Sequence, residues 1–264
     1  MGSGQLAVVT GASSGIGLEL ARLFAADGYD LVVVADDAAI QDTAKELAHA
    51  GVHVEPVRVD LRDAGAVQDV YDVVTDGSAR VPAAIALNAG IGRAGRFVDG
   101  DLQADLDIVD VNVRSTVHLA KLVLSDMAKR DSGRALFTSS IVAMMPGSYQ
   151  TMYNASKSFI QSFAEGLHNE FLGTGVSVTA LMPGPTDTAF FRRAAMEDTP
   201  LGRLPFKDDP AKTARQGYDA MMRGKQKVVA SSLSSKLMGA VSTVLPDSVK
   251  ATANRLIATP FGDR

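Results

Sequence analysis

A short β-branched run, Leu6-Ala7-Val8-Val9-Thr10, ends in Gly11-Ala12-Ser13-Ser14-Gly15-Ile16-Gly17. Leu18, Leu20, Ala21, Leu23 and Phe24 follow at helical spacing. Strand, glycine turn and helix in this order leave few folds open. One glycine permits the tight turn, one lets backbone approach a pyrophosphate, and one lets helix and strand pack closely. The N–H groups and dipole of the helix then favour phosphate charge. A second strand-like run, 31–35, ends at Asp36-Asp37. Asp36 lies about twenty residues beyond the turn, where a carboxylate accepts hydrogen bonds from adenosine ribose hydroxyls. The same carboxylate repels a 2′-phosphate, and Asp37 adds a second negative charge. No Arg or Lys stands near them in the sequence. The pattern predicts NAD in preference to NADP.

Apolar β-type runs recur at 6–10, 31–35, 52–59, 83–87, 135–138, 176–181 and 227–230, with stretches of helical length between most of them. Such alternation predicts an α/β fold: a doubly wound, Rossmann-like parallel sheet of about seven strands with helices on both faces. Residues 101–130 and 155–172 read as long helices, and Asp209 before Pro210 is a helix start. The 264 residues suffice for a single domain, 1–264. Ligands of such sheets bind outside the carboxyl ends of the strands. That rule gathers the glycine turn, Asp36, Asp60 and Leu61, Asn88-Ala89-Gly90, Ser139 and Ser140, and Pro183-Gly184 along one edge.

Composition narrows the function further. Hydrophobic residues make up 46% and charged residues 21%, with a net charge of −4. That balance argues against a nucleic-acid partner. The absence of cysteine excludes disulfides and thiolate catalysis and fits a cytoplasmic location. The first strand begins too early to leave room for a signal peptide, and no apolar stretch spans a bilayer. The histidines, His49, His53, His118 and His168, form no metal-binding spacing, so no metal is expected.

Tyr153 and Lys157 in Tyr153-Asn154-Ala155-Ser156-Lys157 share one helix face, four residues apart. An ammonium beside a phenol favours the phenolate, so the pair reads as a proton-transfer device. Hydride transfer from an alcohol leaves a proton that a base must take.

Taken together the chain resembles the short-chain dehydrogenase/reductase family. The carrying residues are 10–17, Asn88-Ala89-Gly90, Asn112, Ser140, Tyr153 to Lys157, and Pro183-Gly184-Pro185-Thr186-Asp187-Thr188. Asp36 matches the acid of NAD-preferring members, whereas many relatives carry arginine there. Leu87 departs from the asparagine often found before Asn88. The resemblance implies an oxidoreductase that interconverts a secondary alcohol and a ketone or aldehyde with a nicotinamide cofactor. It implies Tyr153 as general acid/base and Lys157 as the group that lowers its pKa and holds the nicotinamide ribose. Ser140 would polarise the substrate oxygen. It is preferred to Ser139 because it lies thirteen residues before Tyr153, the family's usual separation. Asn112 would hold a relay water; a buried helix-bending polar residue is the alternative. Gly11, Ser13, Ser14, Gly15, Ile16, Gly17, Asp36, Asp60, Leu61, Asn88, Ala89, Gly90, Pro183, Gly184, Thr186 and Thr188 would join Tyr153 and Lys157 around the cofactor. Homodimers or homotetramers built on the two long helices are usual in the family.

The substrate end is less defined. Residues 189–206 follow the sixth strand without strong periodicity, as a lid would. Phe190, Phe191, Met196, Leu201 and Leu204, with Met144, Met145 and Tyr149, could form an apolar pocket or pack the core beneath the lid. An apolar alcohol or ketone suits such a pocket, while Arg192 and Arg193 leave a carboxylated substrate open. The tail, 233–261, reads as two apolar helical stretches that cover the core or join subunits; a membrane role has little basis charge to support it. A non-catalytic dinucleotide-sensing module is the rival reading of the whole chain.

Overall fold

In a computed structural model of the chain, residues 4–75, 81–194, 196–200, 202–203, 207–230, 249, 252, 255–256 and 258–259 are described. The expectations for Leu201, Leu204 and most of the tail lie outside them. The elements run β1 (Leu6–Thr10), α1 (Gly15–Ala26), β2 (Asp30–Ala35), α2 (Ile40–Ala48), β3 (Val54–Arg58), α3 (Ala64–Thr75), β4 (Ala84–Leu87), α4 (Leu102–Val109), α5 (Ser115–Arg130), β5 (Gly133–Thr138), α6 (Thr151–Glu170), β6 (Val176–Pro183), α7 (Phe190–Arg193), α8 (Pro210–Met222) and β7 (Lys227–Ala230). Each expected strand is present, shifted by at most two residues at an end.

The strands form one seven-stranded sheet in the order β3-β2-β1-β4-β5-β6-β7, every neighbouring pair parallel. Alternate residues of one strand serve opposite faces. On β1, Leu6 and Val8 pack with Val67 and Val70 of α3, Leu119 and Val123 of α5, and Ile160 and Ala164 of α6. Ala7 and Val9 pack with Leu20 and Phe24 of α1, Leu47 of α2, and Ala214 and Met221 of α8. The β-branched run is therefore buried on both sides, as a parallel strand requires. Strand order reverses between β1 and β4, and a crevice opens there at the carboxyl ends.

Residues 102–130 are helical throughout, but not as one regular helix. Asp101 caps α4, accepting from the N–H groups of Gln103 and Ala104 at 3.3 Å each. A π-helical turn at Asp110–Arg114 then separates α4 from α5. The wider turn buries both Val111 and Asn112. No helix among the described residues is long and apolar enough to cross a membrane.

Candidate active site

The glycine turn is held by close contacts that only glycine allows. Gly11 (φ +67°) and Gly15 (φ +58°) adopt left-handed backbone. A methyl on Gly11 would stand 2.9 Å from Ala89 Cα, and one on Gly15 2.8 Å from Thr188 Cγ2. A methyl on Gly17 would strike the Gly11 carbonyl and stand 2.6 Å from Asn88 Nδ2. Gly17 is buried and supplies the helix–strand packing contact rather than part of the cleft wall. Ser14, at the N-cap of α1, makes no side-chain cap bond, and Ser13 turns away to donate to Asp37 Oδ2 at 2.8 Å. The first N–H groups of α1 therefore have no side-chain acceptor among the described residues, and they border a glycine cradle. Those features fit the pyrophosphate of a dinucleotide.

The three strand ends beyond the turn are tied together. Thr10 Oγ1 accepts from the N–H groups of Asn88 (2.9 Å) and Ala89 (3.0 Å). Asn88 Nδ2 donates to the Thr10 carbonyl at 3.2 Å, and Asn88 Oδ1 accepts from Thr138 Oγ1 at 3.1 Å. Leu87, the departure from the family pattern, is simply a core residue.

Of the two acids after β2, Asp36 is exposed on the cleft wall and its carboxylate has no hydrogen-bonding partner among the described residues. Asp37 is occupied by Ser13, by its own Asx turn to Ala39 N–H (3.0 Å), and by Arg193 Nη2 at 3.4 Å. The sequence reading that no cation stands near is corrected here. Arg193 arrives from α7, 156 residues further along the chain, and Arg58 Nε donates to the Asp36 carbonyl at 3.2 Å. Arg193 lines the cleft and faces Asp37, whereas Arg192 is exposed off the cleft wall. Asp60, followed by Leu61 on the same wall, accepts from Arg62, which holds its carboxyl below the usual range.

Across the crevice, α6 begins at Thr151 and carries Tyr153 and Lys157 on one face. Lys157 is buried; its Nζ donates to the Thr138 carbonyl at 2.9 Å and lies 5.9 Å from the Tyr153 ring centroid. Ser139 and Ser140 part ways. Ser139 Oγ donates to the Lys157 carbonyl at 2.9 Å, while Ser140 Oγ donates to the Pro183 carbonyl at 3.5 Å, accepts from Val142 N–H at 3.3 Å and lines the cleft with Tyr153. A methyl on Gly90 would stand 3.1 Å from Lys157 Nζ and 3.3 Å from Asn112 Oδ1. Glycine there lets the ammonium and the amide approach across the turn. Asn112 lies behind the wall. Its Oδ1 accepts from Ile91 N–H at 2.8 Å, and its Nδ2 donates to the Ile91 carbonyl and Ser156 Oγ, both at 2.9 Å.

Burial pushes the Tyr153 phenol up to about 12, against an opposing pull from the Ser140 hydroxyl. Burial also lowers the Lys157 ammonium to about 8. Both groups are desolvated, and the ammonium is tied to a backbone carbonyl instead of the phenolic oxygen.

The cleft holds about 480 Å³. Its glycine end takes Gly11 to Ile16, Asp36, Asp60, Leu61 and residues 88–90; its far end takes Ser140, Tyr153, Lys157 and the residues after β6: Pro183, Gly184, Thr186 and Thr188. Among the expected substrate residues Met145, Phe190, Phe191 and Met196 line it, whereas Met144 and Tyr149 do not. Phe190 lies on Tyr153, ring centroids 5.0 Å apart. Gly92 makes room for both rings: a methyl there would stand 2.6 Å from Phe190 Cζ and 3.1 Å from Tyr153 Cδ2. Sequence reasoning missed Gly92, Arg193's place and Gln150, none of which belongs to a local pattern.

A family model described as short chain dehydrogenase matches residues 5–198. Oxidoreductase UcpA of Salmonella typhimurium is 32% identical over 212 residues, covering 79% of this chain and 76% of that protein. The solved short-chain dehydrogenase from Sphingobium yanoikuyae in complex with NADPH superimposes with a TM-score of 0.79 at 26% identity, covering 92% of this chain and 96% of that one. A short chain dehydrogenase/reductase from Burkholderia phymatum in complex with NAD has a TM-score of 0.80 at 21% identity, covering 94% and 95%; at that identity it speaks for the fold alone. The sheet and its cleft thus define a nicotinamide-dependent oxidoreductase. The chain belongs to the short-chain dehydrogenase/reductase family.

Proposed function

We propose that this protein interconverts a secondary alcohol and a ketone, with NAD preferred and an apolar substrate body. The reading is carried by one observation: Ser140, Tyr153 and buried Lys157 line the same cleft, with Lys157 one helical turn after Tyr153. The nicotinamide, when bound, supplies or accepts the hydride and, oxidised, brings a positive charge near the phenol. Tyr153 exchanges a proton with the substrate oxygen, and Ser140 donates to that oxygen as negative charge grows during reduction. Lys157, fixed by Thr138, holds the nicotinamide ribose and returns protons to Tyr153. Since burial alone raises the phenol, its acidity in the working enzyme depends on cofactor charge as well as on Lys157. Asn112 has spent both side-chain N–H groups, so its part in the relay falls to its oxygen atoms, with Oδ1 facing Lys157 over Gly90.

Asp36 supports NAD, because its carboxylate bonds no cation among the described residues and would repel a 2′-phosphate. Met145, Phe190, Phe191 and Met196 support the apolar substrate. Exposed Leu102 and Leu106 on α4 and Phe159 on α6 support association of copies through the long helices. The test is Tyr153→Phe. Turnover of a ketone and alcohol panel should fall by about 10²–10⁴-fold, with NADH affinity close to normal. A variant as active as wild type removes the acid/base assignment, and a wild type inactive on the whole panel favours the sensing module.

A further inference from the structure

Gln150 stands three residues before Tyr153, on the wall of the same cleft, and is only 1% exposed. Its Nε2 donates to a thioether, Met196 Sδ at 3.2 Å, which is a weak acceptor. Its Oε1 has no hydrogen-bond partner among the described residues. Among the buried side-chain oxygens left in that state, this one alone belongs to a residue of the cleft wall. The one group its side chain bonds among the described residues, the Met196 thioether, cannot answer a carboxamide with a strong hydrogen bond, and the same cleft carries the apolar side chains of Met145, Phe190 and Phe191. The backbone is bent to place it. Tyr149 adopts φ +63°, a left-handed conformation unfavourable for a bulky residue, and its carbonyl is held by Gly95 N–H at 2.8 Å.

A buried carboxamide in an apolar pocket is costly unless something bonds to it. The geometry points to the substrate as that partner: we infer that Gln150 binds a second hydroxyl group on the substrate, close to the reacting carbon. The substrate is then a hydroxyketone, or the matching diol, with an otherwise apolar body. A hydroxyl suits the site because it donates to Oε1 and, were the two ends of the amide exchanged, could accept from the nitrogen instead. This inference rests on the alcohol–ketone reading above.

The experiment compares two probes with NADH and with NADPH: methyl hexyl ketone, and the same ketone carrying a β-hydroxyl. Wild type should show kcat/KM about tenfold higher for the hydroxyketone, the scale of one buried hydrogen bond. Gln150→Leu and Gln150→Met should bring the ratio close to one, and circular dichroism and NADH binding report whether each variant is folded. Equal kcat/KM for both probes in wild type overturns the assignment while leaving the reductase reading intact. A preference that survives in folded variants overturns it in the same way. Turnover of neither probe sinks the reductase reading and this inference together.

Discussion

Lys157 Nζ donates to the Thr138 carbonyl at 2.9 Å, so the buried ammonium is anchored to the end of β5. Ser139 closes the other side of the link by donating to the Lys157 carbonyl. The start of α6 is thereby fixed against the strand end that carries Ser140. Proton chemistry at Tyr153 depends on this brace, because it sets where the positive charge can stand.

The brace has a pH signature in the cofactor-free protein. Burial lowers Lys157 from 10.5 to about 8, so the neutral amine is favoured by folding. That contribution is present above 10.5 and lost as pH falls through 8. Tyr153, raised from 10.0 to about 12, contributes below 10 and loses its effect as pH climbs through 12. Thermal unfolding of wild type against Lys157→Met should show the variant relatively more stable at neutral pH, by at most about 3 kcal/mol. The advantage should shrink between pH 8 and 10. A constant difference across that window would refute the buried-ammonium account.

Gly17→Ala should weaken NADH binding at least about tenfold and cost about 1–3 kcal/mol of stability. Its methyl would strike the Gly11 carbonyl and crowd Asn88. Fluorescence titration with NADH and a denaturant melt measure the two effects. Normal affinity would show that the turn tolerates a shift the geometry forbids.

The adjacent serines should separate in kinetics. Ser140→Ala is expected to lower kcat/KM about 10²–10³-fold, the usual scale for an oxyanion donor. Ser139→Ala removes one buried bond to the Lys157 carbonyl and should cost about 1 kcal/mol of stability. Its rate effect should be the smaller. A larger rate loss in the Ser139 variant would reverse their roles.

Cofactor choice should move with charge. Asp36→Ala combined with Asp37→Arg should shift the ratio of kcat/KM for NAD over NADP toward NADP by at least about tenfold. Arg193→Ala alone removes the cation beside Asp37 and should move the ratio the opposite way. Unchanged ratios in both variants would take these residues out of the explanation.

Much of the fold was legible because its signals are local. Leu6 to Thr10 alternates between two apolar faces, and the glycines that follow accept backbone forms other residues refuse. Tyr153 and Lys157 were legible because four residues span about one helical turn. The π-turn at Asp110–Arg114 was not, since one extra residue in a wide turn leaves the apolar spacing almost unchanged. Nor was the acidity of the phenol: its pKa follows from how much protein surrounds it and from which atom the ammonium faces.

Sequence by itself determined the parallel sheet, the glycine cradle and the residue types available for proton transfer, because each is written within one element or one turn. Only tertiary structure decided that Arg193 stands beside Asp37, that Phe190 and Gly92 enclose Tyr153, and that Gln150 meets the Met196 thioether. Those relations join segments far apart in the chain. They depend on packing between elements, which no window of sequence records.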